Sequence, residues 1–299
     1  MEHSHSHIQP LAYAGRPCLQ LTTRHGTAIL ALHGAQLLSW QPAGHQEVFW
    51  LSPTLGTTPA PLRGGVPICW PWFGTQGMPT GAMQHGPVRN RPWEVVCVHA
   101  DGREYVSLTL APRKATTADD ALALFANNLQ VSVQIDLGET LVQTLRTHNQ
   151  GPEPFALSQA LHSYFAVHDA TQVRIIGLAG LQYDDKLSGA ARQTQAGPFT
   201  LDRACDRVYQ QHVPAPTHHY TLEDHAGQRR IHIRTEGSQS LVAWNPGQDQ
   251  ARRMVDLPGE SWRNFVCAEV ANAGADVVSM QPDAHYQLVQ ILSAEHWST

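Results

Sequence analysis

Leu129, Val131, Val133, Ile135 and Leu137 alternate one by one with Gln130, Ser132, Gln134 and Asp136. A two-residue period puts the apolar set on one face and the polar set on the other, as in a strand with one side on the core and one in water. Gly138-Glu139 then turns the chain into Leu141-Val142-Gln143-Thr144-Leu145, so the two runs read as a hairpin. Val106, Leu108 and Leu110 alternate in the same way with Tyr105, Ser107 and Thr109. Further strands are expected over Thr27–Leu32, Ala35–Trp40, Gln172–Ile176, Arg230–Arg234, Ser240–Trp244, Asn264–Val270 and Tyr286–Leu292. No segment sustains a 3.6-residue period, and short helical turns are expected only near Pro246–Met254. Many short strands separated by Gly, Pro and Asn clusters predict an all-β fold, a large antiparallel β-sandwich. Pro53–Pro61 and His212–His219 read as loops within it. The expected organisation is a partly flexible N-terminal segment, 1–19, followed by a single domain, 20–299.

The bulk properties narrow the function. A net charge of −5 provides no basic field for nucleic acid or an anionic membrane. The five cysteines, Cys18, Cys69, Cys97, Cys205 and Cys267, are widely spaced, so neither a zinc site nor a disulfide framework is expected. The start Met1-Glu2-His3-Ser4-His5-Ser6-His7 lacks a signal-peptide pattern, and no run of about 18 apolar residues is present. A cytoplasmic protein is expected. His3, His5 and His7 read as a floppy polar terminus rather than a metal site.

Four segments offer chemistry. Arg63-Gly64-Gly65-Val66-Pro67-Ile68-Cys69-Trp70-Pro71-Trp72-Phe73-Gly74 sets one fixed positive charge beside two adjacent glycines, then adds two prolines, three late aromatics and a closing glycine. That punctuation reads as a rigid loop. It either offers Arg63 to an anionic ligand or plugs one end of the sandwich. Gln84-His85-Gly86-Pro87-Val88-Arg89 follows, and Arg63 and Arg89 together suit a phosphate, whose geometry matches guanidinium donors. In Leu161-His162-Ser163-Tyr164-Phe165-Ala166-Val167, read as a strand, Leu161, Phe165 and Val167 face the core, and His162 and Tyr164 the open side. There His162 either transfers protons or simply packs. Glu269 is the one acid of the apolar run Asn264–Val270, so it either faces solvent or lines a cleft as a base. Asp206-Arg207-Val208-Tyr209 adds an acid suited to sugar hydroxyls, and Trp244 in Trp244-Asn245-Pro246 reads as core. Nucleotide-phosphate loops, GxSxG and HExxH patterns are all missing.

These segments, in this order, resemble the hexose-6-phosphate mutarotases (glucose-6-phosphate 1-epimerases), a branch of the aldose 1-epimerase or galactose mutarotase-like superfamily. The resemblance spans roughly residues 20 to 292. It implies a one-domain β supersandwich with a cleft on its concave sheet, and interconversion of the α and β anomers of a hexose 6-phosphate with no cofactor and no metal. It places His162 and Glu269 at the catalytic positions and Arg63, Gln84, Arg89 and Asp206 at substrate-binding ones. His85 is expected to line the cleft beside Gln84. The sequence departs from the family pattern at Pro87, commonly an aromatic, and at Gly247, frequently bulky; both are expected to reshape the pocket. The expected opening step has Glu269 as base and protonated His162 as acid, on opposite sides of the anomeric centre. The partner is a small sugar phosphate, and the protein is expected to be a monomer. A mutarotase for unphosphorylated aldoses and a non-catalytic sugar-phosphate binder are the alternatives.

Overall fold

A computed structural model describes residues 7–54, 62–114 and 128–297. Two large antiparallel sheets face each other. In the nine-stranded one, the hairpin Leu129–Leu137 and Leu141–Asn149 lies between Tyr105–Pro112 on one side and His285–His296 on the other. Its alternation is as expected: Leu129, Val131, Val133, Ile135 and Leu137 are buried in one core cluster with Leu108, Leu145, Leu288 and Ile233. The eight-stranded sheet contributes Leu161, Phe165, Leu241 and Val270 to the same cluster. A four-stranded sheet, running from Ile8–Tyr13 to Gln36–Pro42, adds Leu21, Leu30, Leu37 and Trp40. Thus the chain from residue 8 to 19, expected to lie ahead of the domain, forms the strand Ile8–Tyr13 and half of Arg16–Thr23.

Other differences are local. Thr217–Asp224 is a strand although Pro214 and Pro216 made His212–His219 read as a loop; the prolines sit just before the first strand residue. Trp93–Asp101 is an edge strand exposed along most of its length, so no buried face imposes an alternation that reading could detect. The helical turn expected near Pro246 is the short helix Gly247–Ala251. Within the expected Pro53–Pro61 loop, 55–61 lies outside the described residues, as do His3 and His5. Among the described residues, no helix is long and apolar enough to cross a membrane.

The outer face of the eight-stranded sheet carries the site. Its middle strand, Phe265–Asn272, is buried at every position and pairs with Ser240–Asn245 on one side. On the other side it pairs with two short strands, Gln159–Leu161 and Tyr164–Ala166. Leu161 faces Val270 and Tyr164 faces Cys267, so the register is continuous across the break and sets His162 opposite Glu269. Period 2 then places Ala160, His162, Tyr164, Cys267, Glu269 and Ala271 on one face.

Candidate active site

The ladder breaks at His162 because its backbone bonds elsewhere. His162 N–H donates to Pro67 O at 3.0 Å, and Tyr164 N–H to Gly65 O at 2.9 Å. The Arg63–Gly74 segment is therefore both loop and sheet: Ile68–Cys69 pairs with Gln159–Leu161 as a further strand. Gly65 has φ 59°, and a Cβ there would lie 2.1 Å from Leu37 O, which explains a glycine where the backbones meet. Trp70 and Trp72 are core, and the Trp70 indole donates to Thr147 Oγ1 at 2.9 Å.

His162 Nδ1 lies 3.4 Å from Glu269 Oε1, with both side chains buried. The imidazole stacks on the Tyr164 ring at 4.8 Å and meets His85 and Trp244 edge-on at 5.9 and 6.0 Å. Glu269 Oε2 is buried and has no hydrogen-bond partner among the described residues. A buried carboxylate oxygen without a donor is costly unless a ligand or a proton meets it. His162 and Glu269, expected on opposite sides of a sugar's anomeric centre, are direct neighbours, because the register makes them so.

Burial opposes charge on both groups. It pushes Glu269 well above the ordinary carboxylate range, helped by Asp206 and opposed by Lys186 and Arg89. It pushes His162 well below 6.5, and His85, Arg89 and Arg63 add to the effect. Each group is thereby biased toward its uncharged form, imidazole for His162 and carboxyl for Glu269. Burial, with Arg89, Lys186 and Arg63, lowers His85 to about 3. Its Nδ1 accepts from Gly74 N–H at 3.3 Å, which leaves the ring proton on Nε2.

Around this pair the remaining expected residues divide. Gln84, His85 and Asp206 border a pocket of about 390 Å³ together with Phe73, Asp184 and Lys186. Arg63 approaches from the Tyr164 side: it donates to Tyr164 OH at 3.1 Å, and its Nε lies 2.7 Å from Asp256. Arg89 approaches Cys69, Nη1 to Sγ 4.0 Å. The two arginines share an influence on His162 and His85. Arg63 arrives already paired, because Asp256 packs beside it. Lys186 was missed: its ammonium sits 3.8 Å from Asp206 and 4.9 Å from the centre of the Phe73 ring. The charged run Asp184-Asp185-Lys186 was the only sequence trace of it. Trp244, read as core, does pack half-buried against the core beside Phe265, and it also borders His162. Pro87 is buried, and Gly247 packs against Ala204 rather than lining the pocket; at φ 60° a Cβ would lie 2.7 Å from Ala204 N, so a bulky residue has no room there.

Cys267 shares the cluster: ligand atoms of His162, Cys267 and Glu269 lie within 4.8 Å of one another, a set that could hold a metal ion. Burial raises the Cys267 thiol well above 9, so the set suits neutral proton exchange better than binding through thiolate.

Residues 17–293 match the family model described as aldose 1-epimerase. A protein of Escherichia coli (strain K12), provisionally named glucose-6-phosphate 1-epimerase, is 34% identical over 267 residues, covering 86% of this chain and 84% of that protein. One of Salmonella typhimurium with the same provisional name is 35% identical over 253 residues, covering 83% and 80%. The fold superimposes on a crystal structure from Salmonella typhimurium, provisionally named a mutarotase, with a TM-score of 0.86 and 28% identity, covering 99% of this chain and 96% of that one.

Proposed function

The chain belongs to the aldose 1-epimerase family, and on that premise we propose that it interconverts the α and β anomers of a hexose 6-phosphate, glucose 6-phosphate by preference. The observation that carries the reading is the buried His162–Glu269 pair at 3.4 Å, with Arg63, Arg89 and Lys186 around it. The provisional names of the relatives support the choice of sugar.

Mutarotation moves two protons and breaks one bond. The reactive form is carboxylate beside imidazolium, reached by moving a proton from Glu269 to His162. Glu269 then takes the proton of the anomeric hydroxyl, the C1–O5 bond breaks, and His162 delivers its added proton to O5, leaving carboxyl and neutral imidazole. Rotation about C1–C2 turns the other carbonyl face to the ring hydroxyl, and both transfers reverse as the ring closes. The pair therefore starts and ends each turnover with the same proton count. Both proton arrangements of the pair, carboxylate with imidazolium and carboxyl with imidazole, are used in every cycle. No step requires a cofactor.

The phosphate has a second role in this scheme. Arg63 and Arg89 are among the charges that hold His162 deprotonated. A phosphate on those guanidiniums cancels that field and makes the imidazole easier to protonate. Arg63 is pre-positioned for this by Asp256 and Tyr164.

Anomeric exchange followed by saturation-transfer NMR tests the reading on glucose 6-phosphate, glucose and galactose. Acceleration is expected to be greatest for glucose 6-phosphate. Arg63→Ala or Arg89→Ala should raise its KM by about 30-fold or more, since losing one partner of a buried charge pair costs roughly 2–5 kcal/mol. The KM for glucose should change far less. Faster exchange of galactose or glucose than of glucose 6-phosphate would overturn the choice of sugar. Binding without acceleration would make the protein a sugar-phosphate binder.

A further inference from the structure

A second group of ligating side chains lies on the other large sheet, outside the cleft. His148, in Leu141–Asn149, faces His285, in His285–His296, as a cross-strand pair. Their rings stack at 3.9 Å with an interplanar angle of 14°. Asp283, two residues before His285, brings Oδ1 to 2.9 Å from His148 Nε2. One ligand atom from each of the three lies within 4.8 Å of the others.

The scaffold holding them is stiff. Asp283 has φ 60° in the turn ahead of its strand, and its N–H donates to Asn149 O at 2.8 Å. Asn149 N–H in turn donates to Ala284 O at 2.9 Å. The buried Asn149 amide clamps the turn from beneath, donating to Met280 O at 3.0 Å and to Gln281 O at 3.2 Å. The backbone that presents His148, Asp283 and His285 is therefore tied together through its own hydrogen bonds. A pocket of about 160 Å³, lined by His148 and His285, opens beside them.

We propose that His148, Asp283 and His285 form a surface binding site for a divalent first-row transition metal ion, zinc above all. Two imidazole nitrogens and one carboxylate oxygen are the donor set of open zinc sites, with the fourth position left to solvent. Calcium and magnesium, which require mostly oxygen ligands, do not suit it. Zinc bonds of about 2.0–2.1 Å in a tetrahedron set ligand atoms about 3.3 Å apart, so binding opens the 2.9 Å His148–Asp283 contact slightly and turns one imidazole out of the stack to bring both in-plane lone pairs onto the ion. A bound ion joins two neighbouring strands and the turn between the sheet and Met280, so it stabilises the fold without touching the proton pair.

Isothermal titration of the full chain with zinc chloride tests this, beside His148→Ala, His285→Ala and a variant with His3, His5 and His7 all changed to Ala. The parent is expected to bind one ion at this site. Either cross-strand variant should weaken that binding at least 10-fold, and the N-terminal variant should leave it within threefold. Tetrahedral cobalt absorption should follow the same pattern, and zinc should raise Tm in the parent but not in His285→Ala. Unchanged zinc affinity in both cross-strand variants, or binding lost with the N-terminal histidines instead, overturns the proposal.

Discussion

Glu269→Gln is expected to lower kcat for anomer exchange by about 10²- to 10⁴-fold while leaving KM near that of the parent, and His162→Asn should do the same. In the proposed scheme both groups act on the reacting oxygens only through protons, and each replacement keeps size and polarity while removing the transfer. The double variant should be little worse than either single one, because half of a proton relay works no better than none. Near-parental exchange rates in either single variant would remove that residue from the mechanism.

Stability separates lost chemistry from lost fold. Glu269 has a raised pKa in the folded chain, so the stability of its neutral form is complete below 4.5 and is lost as pH rises through the folded value. Gln cannot ionise, so Glu269→Gln should gain stability relative to the parent as pH climbs above 4.5. His162 has a depressed folded pKa, so its contribution is complete above 6.5 and is lost as pH falls. His162→Asn should accordingly gain relative to the parent below 6.5. Denaturant midpoints from acid to mildly alkaline pH read both trends. A flat difference for Glu269→Gln would mean that the carboxyl is not buried as described.

Gly86→Ala is expected to cost roughly 3 kcal/mol or more of folding stability and to cut activity with it. Gly86 has φ 75°, and a Cβ would sit 1.8 Å from Trp70 O and 2.4 Å from Trp70 C, where only backbone could yield. The strain falls on the segment that aims His85 at the proton pair. Gly44 is the control: φ is 77°, with nothing within 4 Å of an added Cβ. Gly44→Ala bears only the cost of a left-handed alanine, about 1 kcal/mol. Equal costs at the two positions, in urea unfolding with unchanged slope, would show that the crowding at Trp70 is relieved at no expense.

Strands with one wet face were legible because burial writes a period into the side chains, as in Leu129–Leu137. Trp93–Asp101 was not, since an edge exposed on both faces obeys no such period. Phe265–Asn272 was found as an apolar run, and its lone acid marked the site. His162 and Glu269 lie side by side, Gln84, His85 and Asp206 border one pocket, and the His85 ring meets that of His162, all at positions the sequence marks. Lys186 and Asp256 are not so marked, because each acts through a partner far along the chain. A single charged residue in a turn has no local signature for such a role. The contact between His162 and Glu269 was hidden for a related reason: strand register is a property of pairing across the sheet, and neither segment encodes it alone.

The strand His285–His296 has a consequence for how the chain comes to be folded at all. It lies in the interior of the nine-stranded sheet, between Arg229–Glu236 and Leu141–Asn149. A ribosome delivers both flanking strands well before it. Until it arrives, two long edges stand open, each a template for pairing with another nascent chain. The sheet closes only by late insertion across a large sequence separation, which is slow. The exposure of those edges is therefore confined to the interval before the strand His285–His296 is seated between them.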